Sequence, residues 1–181
     1  MLHRFTKAAG VLLLVATGRT CLSNDTPWLD VPFVRQVKSG CGSAAIAMVM
    51  QYWVKHQPRI DLAAADAERI NKALPPSSKG LYGKELKQYL ETHSFTAFVF
   101  NGTLSDLRDH ASKGRPVIVC LGFNRLLASL HYVVVVGISE DELFLNDPAR
   151  GKLVREEKAA FLRAWKTTGN WALLAVPRPA P

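Results

Sequence analysis

The sequence predicts an α+β domain in which helices come first and a mainly antiparallel sheet follows. Residues 42–92 hold three segments with helical apolar spacing or helix-capping residues. From residue 94 onward, short segments rich in Val, Phe and Leu alternate with turn residues, as strands do. This order is typical of helices packed on one side of a sheet. A chain of 181 residues, 48% of them hydrophobic, can bury the core of one such domain, which we place at residues 24–176.

Three helices are predicted in the first half of the chain. Residues 26–37 should be extended, because two prolines among them oppose a helix. The first helix is apolar on most sides, which predicts a central, buried helix. The second begins at Asp61, whose side chain can cap it. In chain order, the predicted helices span residues 42–54, 61–74 and 84–92.

The second half is predicted to form five strands and two further helices. The Val-rich run that begins at His131 is the strongest strand signal in the chain. A tight turn follows it, so this strand and the next should form an antiparallel hairpin. Residues 177–181 are too rich in proline to pack and are predicted to be a flexible tail. The predicted strands span residues 94–100, 116–121, 131–138, 141–146 and 171–176, and the helices residues 103–113 and 156–165.

The first 23 residues are typical of a signal peptide. Arg4 and Lys7 form a positive start, residues 11–16 are a short apolar run, and small residues follow. Cys21 raises the question of a lipid anchor, but Arg19 stands where a lipid-attachment site has a small residue. No stretch reaches the length of about 18 apolar residues that spans a bilayer. We therefore expect export to the periplasm or the medium without a lipid anchor, the alternative being the frayed first helix of a cytosolic protein.

Charge and motif content argue against nucleic-acid and metal partners. The net charge is +8, but three of the basic residues lie in residues 1–23 and the others are scattered. Such a charge suits solubility or an anionic envelope surface, and it lacks the basic stripe with interleaved aromatics of a nucleic-acid interface. The Cys and His spacings match no zinc pattern, and no glycine-rich loop offers to hold a phosphate. The sequence therefore predicts no cofactor and no nucleic-acid partner.

Cys41 is the candidate nucleophile of this chain. It opens the central helix, where free backbone amides and the helix dipole lower the pKa of a thiol. Gly40 and Gly42 on either side leave room for a substrate backbone to approach. Cys120 lies in the apolar run 117–121, where a cysteine behaves as a small hydrophobe. The structural alternative is a disulfide between Cys41 and Cys120.

Three further positions complete a candidate Cys-His-acid site. His131 begins its strand near the helix tip, where the imidazole could take the thiol proton. The next strand ends in Asn146 and Asp147, and either side chain could orient the His131 ring. Because side chains alternate along a strand, only one of these two can serve. Gln36, five residues before Cys41, could form an oxyanion hole with the Cys41 backbone N–H. A core His, an Asp-Pro turn and a surface Gln are the non-catalytic alternatives.

Four ordered blocks of the sequence resemble the papain-like bacteriocin-processing peptidases, which cut leader peptides after a double glycine. The resemblance implies a papain-like fold with Cys41 as nucleophile and His131 as acid and base. It also implies that Asp147, rather than Asn146, orients His131 and that Gln36 lies in the oxyanion hole. The blocks are Val31-Pro-Phe-Val-Arg-Gln36, Cys41-Gly-Ser-Ala-Ala, His131-Tyr-Val-Val-Val-Val-Gly137 and Asn146-Asp147-Pro148-Ala-Arg-Gly151.

The function implied by these residues is that of a cysteine peptidase acting on a peptide or protein. Cys41 would form a covalent thioester with the substrate, and water would then hydrolyse it. The resemblance adds a Gly-Gly-type site as the expected place of cleavage. Two alternatives stay open: transfer of the acyl group to an amine in place of water, and a non-catalytic module that only binds peptides.

Overall fold

The computed structural model describes residues 28–57, 60–77, 80–122 and 130–179. The predicted signal peptide, residues 1–23, with its Cys21, lies outside these ranges, as do the last two residues of the predicted tail. Within the described ranges, no helix is long and apolar enough to cross a membrane.

The structure has the predicted order of helices before sheet, and the α+β class is confirmed. A short 3-10 helix, Leu62–Ala65, follows the first α-helix. The α-helices are α1 (Cys41–His56), α2 (Ala67–Ala73), α3 (Gly83–Thr92), α4 (Leu104–Ser112) and α5 (Lys158–Lys166). The strands are β1 (Phe95–Asn101), β2 (Val117–Gly122), β3 (Leu130–Ile138), β4 (Glu142–Asp147), β5 (Gly151–Glu157) and β6 (Trp171–Pro177).

The described strands form one antiparallel sheet in the order β1-β6-β2-β3-β4-β5. α1, α2 and α3 share a core with one face of this sheet. α4 and α5 share a second core with the opposite face, so the prediction that helices lie on one side only was wrong. The reason lies in the central strands: β2 and β3 are almost wholly buried and carry apolar side chains on both faces. Both faces therefore need a covering layer.

α1 is the central helix that its composition predicts. It is buried continuously from Cys41 through Met50, against the sheet on one side and the other N-terminal helices around it. Its small alanines allow close packing, while Ile46 and Met48, both fully buried, belong to the core that α1 shares with the sheet. The helix start therefore has a fixed position relative to β3, the strand that carries His131.

Two predicted elements differ from the structure. The helix predicted for residues 61–74 is divided, because Asp66 adopts an extended backbone with ψ 124° and its side chain accepts from the Arg69 N–H at 2.9 Å to cap α2. β5 was not predicted, since its Lys, Arg and Glu side chains give little apolar alternation at this sheet edge. α5 accordingly begins at Lys158, after β5, rather than at residue 156.

The C-terminal strand extends past its predicted end. β6 runs through Pro177 instead of ending at Val176. The next residue, Arg178, donates its backbone N–H to the Ser94 carbonyl at 2.9 Å and its guanidinium to the Glu91 carbonyl at 2.8 Å. The packed chain therefore continues two residues into the segment that was predicted to be a flexible tail.

Candidate active site

Cys41 is the first residue of α1, as its sequence context predicts. Gly40 precedes the helix without a side-chain cap, and no acid lies in the first turn, so the amide groups of the helix start face the thiol region unopposed. Both flanking glycines are closely packed. A Cβ at Gly40 would lie 3.0 Å from Val37 Cγ2, and one at Gly42 would lie 3.2 Å from Leu81 Cδ1. Cys41 itself is only 9% exposed, so the thiol is largely buried.

The chain reaches Cys41 through a segment that is tied to the sheet. Leu29 donates its N–H to the Val136 carbonyl at 2.7 Å, and Gln36 donates its N–H to the Pro148 carbonyl at 3.0 Å. A tight turn follows, in which Ser39 adopts the left-handed φ of 59°. This turn converts an extended segment into the first turn of α1 and so fixes the direction of the Cys41 side chain.

His131 and Asp147 are joined by a hydrogen bond. His131 Nε2 lies 2.7 Å from Asp147 Oδ1, and the two side chains are 14% and 2% exposed. The pairing of β3 with β4 brings the end of β4 beside the start of β3 and so places the two residues together. Asp147 Oδ1 also accepts from the backbone N–H groups of Ala149 at 2.9 Å and Arg150 at 3.3 Å. The turn after β4 therefore holds the carboxylate in one orientation toward the His131 ring.

The three side chains favour charged forms despite their burial. Burial would raise the pKa of the Cys41 thiol, but hydrogen bonds from His131 and the Tyr132 backbone, with the His131 charge, hold that pKa below its ordinary value. Burial would lower the pKa of His131, but hydrogen bonds to Asp147 and Cys41, and their charges, raise it to about 9. Since Asp147 occupies Nε2, Nδ1 is the ring nitrogen that remains for the thiol. The arrangement favours a thiolate–imidazolium pair backed by a carboxylate.

Asp147 remains ionised for the same reasons. Burial would raise the pKa of this carboxyl group. The hydrogen bond and charge of His131, followed by the amides of Ala149 and Arg150, outweigh burial and lower that pKa. An ionised Asp147 holds the His131 ring in the tautomer that offers Nδ1 to Cys41.

Asn146 has a separate task from Asp147. Its side chain is fully buried and donates from Nδ2 to the Val31 carbonyl at 3.0 Å. Its Oδ1 accepts the N–H of Leu153 at 3.1 Å, where the chain has a left-handed φ of 54°. Of the two alternatives left by the sequence, the structure brings Asp147 to His131. Asn146, at the end of β4, instead joins the segment before Cys41 to β5 by hydrogen bonds.

Replacing Asn146 by Ala should destabilise the protein. Asn146→Ala leaves the Val31 carbonyl and the Leu153 N–H buried without their partner, so we expect the free energy of unfolding to fall by about 3 kcal/mol. Denaturant unfolding of wild type and variant measures the difference. Asn101→Ala is the matched control, because Asn101 is exposed and its side chain donates to the Gly169 carbonyl at the protein surface. It should cost no more than about 0.5 kcal/mol, and equal losses in the two variants would contradict the assignment.

Gln36 lies where the sequence predicts it, immediately upstream of the turn to Cys41. It is partly buried, and its backbone is tied to the turn that carries Asp147. Its side-chain Oε1 is buried and has no hydrogen-bond partner among the described residues. The carboxamide is therefore not committed through this oxygen to another protein group. Rotation about its last bond would present an N–H donor in the same place, which is the group an oxyanion needs.

Cys120 is a buried thiol next to the site and not part of a disulfide. Cys41 and Cys120 are both free, so the disulfide alternative does not apply to this structure. Burial, followed by the charge of Cys41, raises the pKa of the Cys120 thiol to about 12. Cys120 is therefore a neutral thiol at physiological pH, as expected for a small core residue.

Tyr132 is a residue that sequence reasoning missed. Its backbone amide contacts the Cys41 sulfur, and its hydroxyl donates to the Leu81 carbonyl at 3.1 Å. In the sequence it is one aromatic residue in the apolar run after His131, and nothing in the periodicity separates it from its neighbours. Among the described residues, no cluster of three or more His, Cys, Asp or Glu side chains is arranged to hold a metal ion.

Comparison with solved structures finds the same fold in known peptidases. A C39-like peptidase from Bacillus anthracis has a TM-score of 0.69 and 19% identity, covering 86% of this chain and 100% of its own. The peptidase domain of Streptococcus ComA, a bifunctional ABC transporter, has a TM-score of 0.64 and 22% identity, covering 81% and 98%. The double-glycine protease of an AMS/PCAT transporter, solved with its leader peptide, has a TM-score of 0.63 and 25% identity, covering 83% and 94%.

Sequence comparison leads to the same group. No curated protein matches the chain significantly. The sequence profile of the Peptidase_C39 like family matches residues 28–173, which is most of the chain and contains every candidate site residue. The resemblance noted from the four sequence blocks is thereby confirmed, and a cysteine-peptidase role is supported. The chain belongs to the Peptidase_C39 like family.

Proposed function

We propose that this protein is a cysteine peptidase that hydrolyses a peptide bond through a Cys41–His131–Asp147 triad. The observation that carries the proposal is the hydrogen-bonded series in which Asp147 holds His131 at 2.7 Å and His131 in turn contacts the Cys41 thiol at the start of α1. Nucleophile, base and orienting acid in contact with one another are the arrangement that covalent acyl transfer requires.

In the first half of the reaction, the Cys41 thiolate attacks the carbonyl carbon of the scissile bond. The carbon–nitrogen bond then breaks, and His131, which is protonated in the resting pair, gives its proton to the leaving amine. The acyl part of the substrate remains bound to Cys41 as a thioester. Asp147 keeps the His131 ring in place while the ring loses its charge.

In the second half, neutral His131 takes a proton from water. The resulting hydroxide attacks the thioester carbon, the carbon–sulfur bond breaks, and the acyl part leaves as a carboxylic acid. The sulfur returns as thiolate and His131 keeps the proton, so the ion pair is restored. Acyl transfer to an amine would follow the same path with the amine replacing water.

Two donors support the oxyanion that forms in both halves. The Cys41 backbone N–H lies at the start of α1, where the amide groups have no partner within the helix. The side chain of Gln36 is the second donor, since its carboxamide lies just before the turn to Cys41 and is not held through its oxygen. Preorganised donors of this kind are commonly worth about 3 kcal/mol each in the transition state.

The substrate class follows from the relatives. The AMS/PCAT protease was solved with a leader peptide and is described as acting at a double-glycine motif. We infer that the present protein acts on a peptide or protein segment, with a Gly-Gly-type site as the first to be examined. Residues 1–23 have the pattern of a signal peptide, so the proposed place of action is the periplasm or the medium.

The proposal is tested by the alkylation rate of Cys41 with iodoacetamide from about pH 4 to about pH 9. Wild-type Cys41 should react at acidic pH, because the His131 charge stabilises the thiolate. His131→Ala should slow the acidic reaction about 100-fold and restore the profile of an ordinary thiol. Peptide mapping by mass spectrometry separates Cys41 from Cys120, which should stay unmodified while the protein is folded. A wild-type thiol that reacts only above about pH 8 would indicate a non-catalytic peptide-binding module.

A further inference from the structure

Tyr132 connects the two layers that meet at the site. It follows His131 in β3, and its backbone N–H contacts the Cys41 sulfur. Its side chain crosses to the helical layer, where the hydroxyl donates to the Leu81 carbonyl at 3.1 Å. The ring packs edge-on against Trp171 of β6, with centroids 5.5 Å apart. One residue thus contacts the candidate nucleophile through its backbone and the segment before α3 through its side chain.

The segment that receives this hydrogen bond also touches the start of α1. Leu81 is 4% exposed and packs so closely on Gly42 that a Cβ there would lie 3.2 Å from Leu81 Cδ1. Two residues later, Gly83 lies so close to the Trp171 ring that a Cβ there would clash with it. The segment is therefore packed closely between the start of α1 and Trp171. A displacement of Leu81 would remove a packing contact of Gly42, which is bonded directly to Cys41.

These contacts link the start of α1 to the start of β3 in two ways. The Tyr132 N–H contacts the Cys41 sulfur directly, and the Tyr132 hydroxyl bonds to the Leu81 carbonyl while the Leu81 side chain packs on Gly42. Together the two links hold the start of α1 close to the start of β3. Those two points carry Cys41 and His131, whose contact the proposed reaction requires.

The Tyr132 hydroxyl is suited to a permanent structural bond. The residue Tyr132 as a whole is 4% exposed. Burial, together with the charges of Cys120 and Cys41, raises the pKa of its hydroxyl. It therefore stays a neutral donor over the whole range in which a peptidase works. The Cys120 thiol also contacts this side chain, so the apolar surroundings of the bond continue into the core.

We propose that Tyr132 is a positioning residue whose hydroxyl, acting through Leu81 and Gly42, holds the Cys41 sulfur within reach of the His131 ring. The proposal rests on the proposed roles of Cys41 and His131. It assigns Tyr132 no contact with the substrate and no proton transfer. Its effect is on the population of the ion pair, since a small displacement of one partner weakens a hydrogen bond between them steeply.

The chain provides a matched control for this idea. Tyr89 is also a buried tyrosine that donates its hydroxyl to a backbone carbonyl, that of Ala64, at 2.9 Å. This bond joins α3 to the short 3-10 helix within the helical layer. Tyr132→Phe and Tyr89→Phe therefore remove the same atom from the same kind of bond, and only the first bond links the layer of Cys41 to the strand of His131.

The experiment measures the pH profile of Cys41 alkylation by iodoacetamide and the melting temperature of the three proteins. We expect both variants to lose thermal stability to a similar extent, because each leaves a carbonyl without its donor. Only Tyr132→Phe should slow alkylation at acidic pH, by about fivefold, and move the inflection of the profile to higher pH. A wild-type profile in Tyr132→Phe, or equal slowing in Tyr89→Phe, would overturn the proposal.

A double-variant cycle tests the route through Leu81. Leu81→Ala removes the side chain that touches Gly42 but keeps the carbonyl that receives the Tyr132 bond. If Tyr132 acts through Leu81, the slowing in the double variant should be no larger than in the more affected single variant. Independent, multiplying effects would overturn the route. If wild-type Cys41 is not alkylated at acidic pH, both the proposed peptidase function and this inference are overturned. That outcome is distinguished from failure of the inference alone because it is seen in the wild-type protein without any variant.

Discussion

Cys41→Ala should abolish peptide turnover while the protein stays folded. Without the sulfur no thioester can form, and we expect the rate to fall by about four orders of magnitude or more. The fold should persist, because the change removes one atom. The packing at Gly40 and Gly42 and the backbone hydrogen bonds of the segment before them stay in place. Turnover is measured with a synthetic fluorogenic peptide amide ending in Gly-Gly, and the fold by circular dichroism.

The control for this prediction is the same substitution at the other described cysteine. Cys120 is free, buried and close to the site, but its pKa is raised to about 12, so it supplies no thiolate. Cys120→Ala should retain turnover and cost about 1 kcal/mol of stability for the lost packing. Turnover that survives in Cys41→Ala, or that disappears in Cys120→Ala at unchanged circular dichroism, would mean that the nucleophile has been misassigned.

Asp147→Ala should have the second largest effect, a loss of turnover of about 1000-fold. The substitution removes the acceptor that orients the His131 ring and the negative charge that favours its protonated form. Of the groups that raise the pKa of His131, Asp147 is then lost while Cys41 remains, so His131 should lose its proton at lower pH than the value of about 9 in the intact site. The measurement is the pH dependence of turnover for both proteins.

Asp147→Asn separates orientation from charge. An amide oxygen can still accept the His131 N–H, so the ring should stay in place and turnover should fall only about tenfold. The active ion pair is lost at low pH when the Cys41 thiolate gains a proton, and at high pH when His131 loses one near pH 9. Wild type should therefore give a bell-shaped profile, and both Asp147 variants should move its upper limb to lower pH. An upper limb that does not move in either variant would contradict the assigned role of Asp147.

The parts of the fold that the sequence predicted are those governed by local rules. The central helix is apolar on most sides, and the Val-rich run after His131 has strong strand propensity, so both were placed nearly to the residue. The residue that orients His131 was narrowed to Asn146 or Asp147 by their place at the end of the next strand, and alternation indicated that only one of them could serve. The resemblance to a peptidase family then favoured Asp147, and the geometry places Asp147 on His131.

The parts that were missed depend on contacts between distant segments. β5 has a charged sequence and is a strand because β4 offers it hydrogen bonds, which no property of residues 151–157 alone reveals. Asp66 interrupts a helical pattern because its own side chain offers a better cap than the continuing helix. Tyr132 is distinguished by contacts such as its bond to Leu81, a residue 51 positions away. Such features require the tertiary arrangement.

The strand order of the sheet determines when, during folding, the candidate site is assembled. β6, the last of the described strands in chain order, lies between β1 and β2 rather than at an edge, so the described sheet is continuous only once β6 has been inserted. Cys41 belongs to the first half of the chain, while its two partners sit on strands from the second half. A nascent or unfolded chain therefore holds all three side chains without holding them together. If these residues act as proposed, activity requires that the first and second halves of the domain have folded against each other.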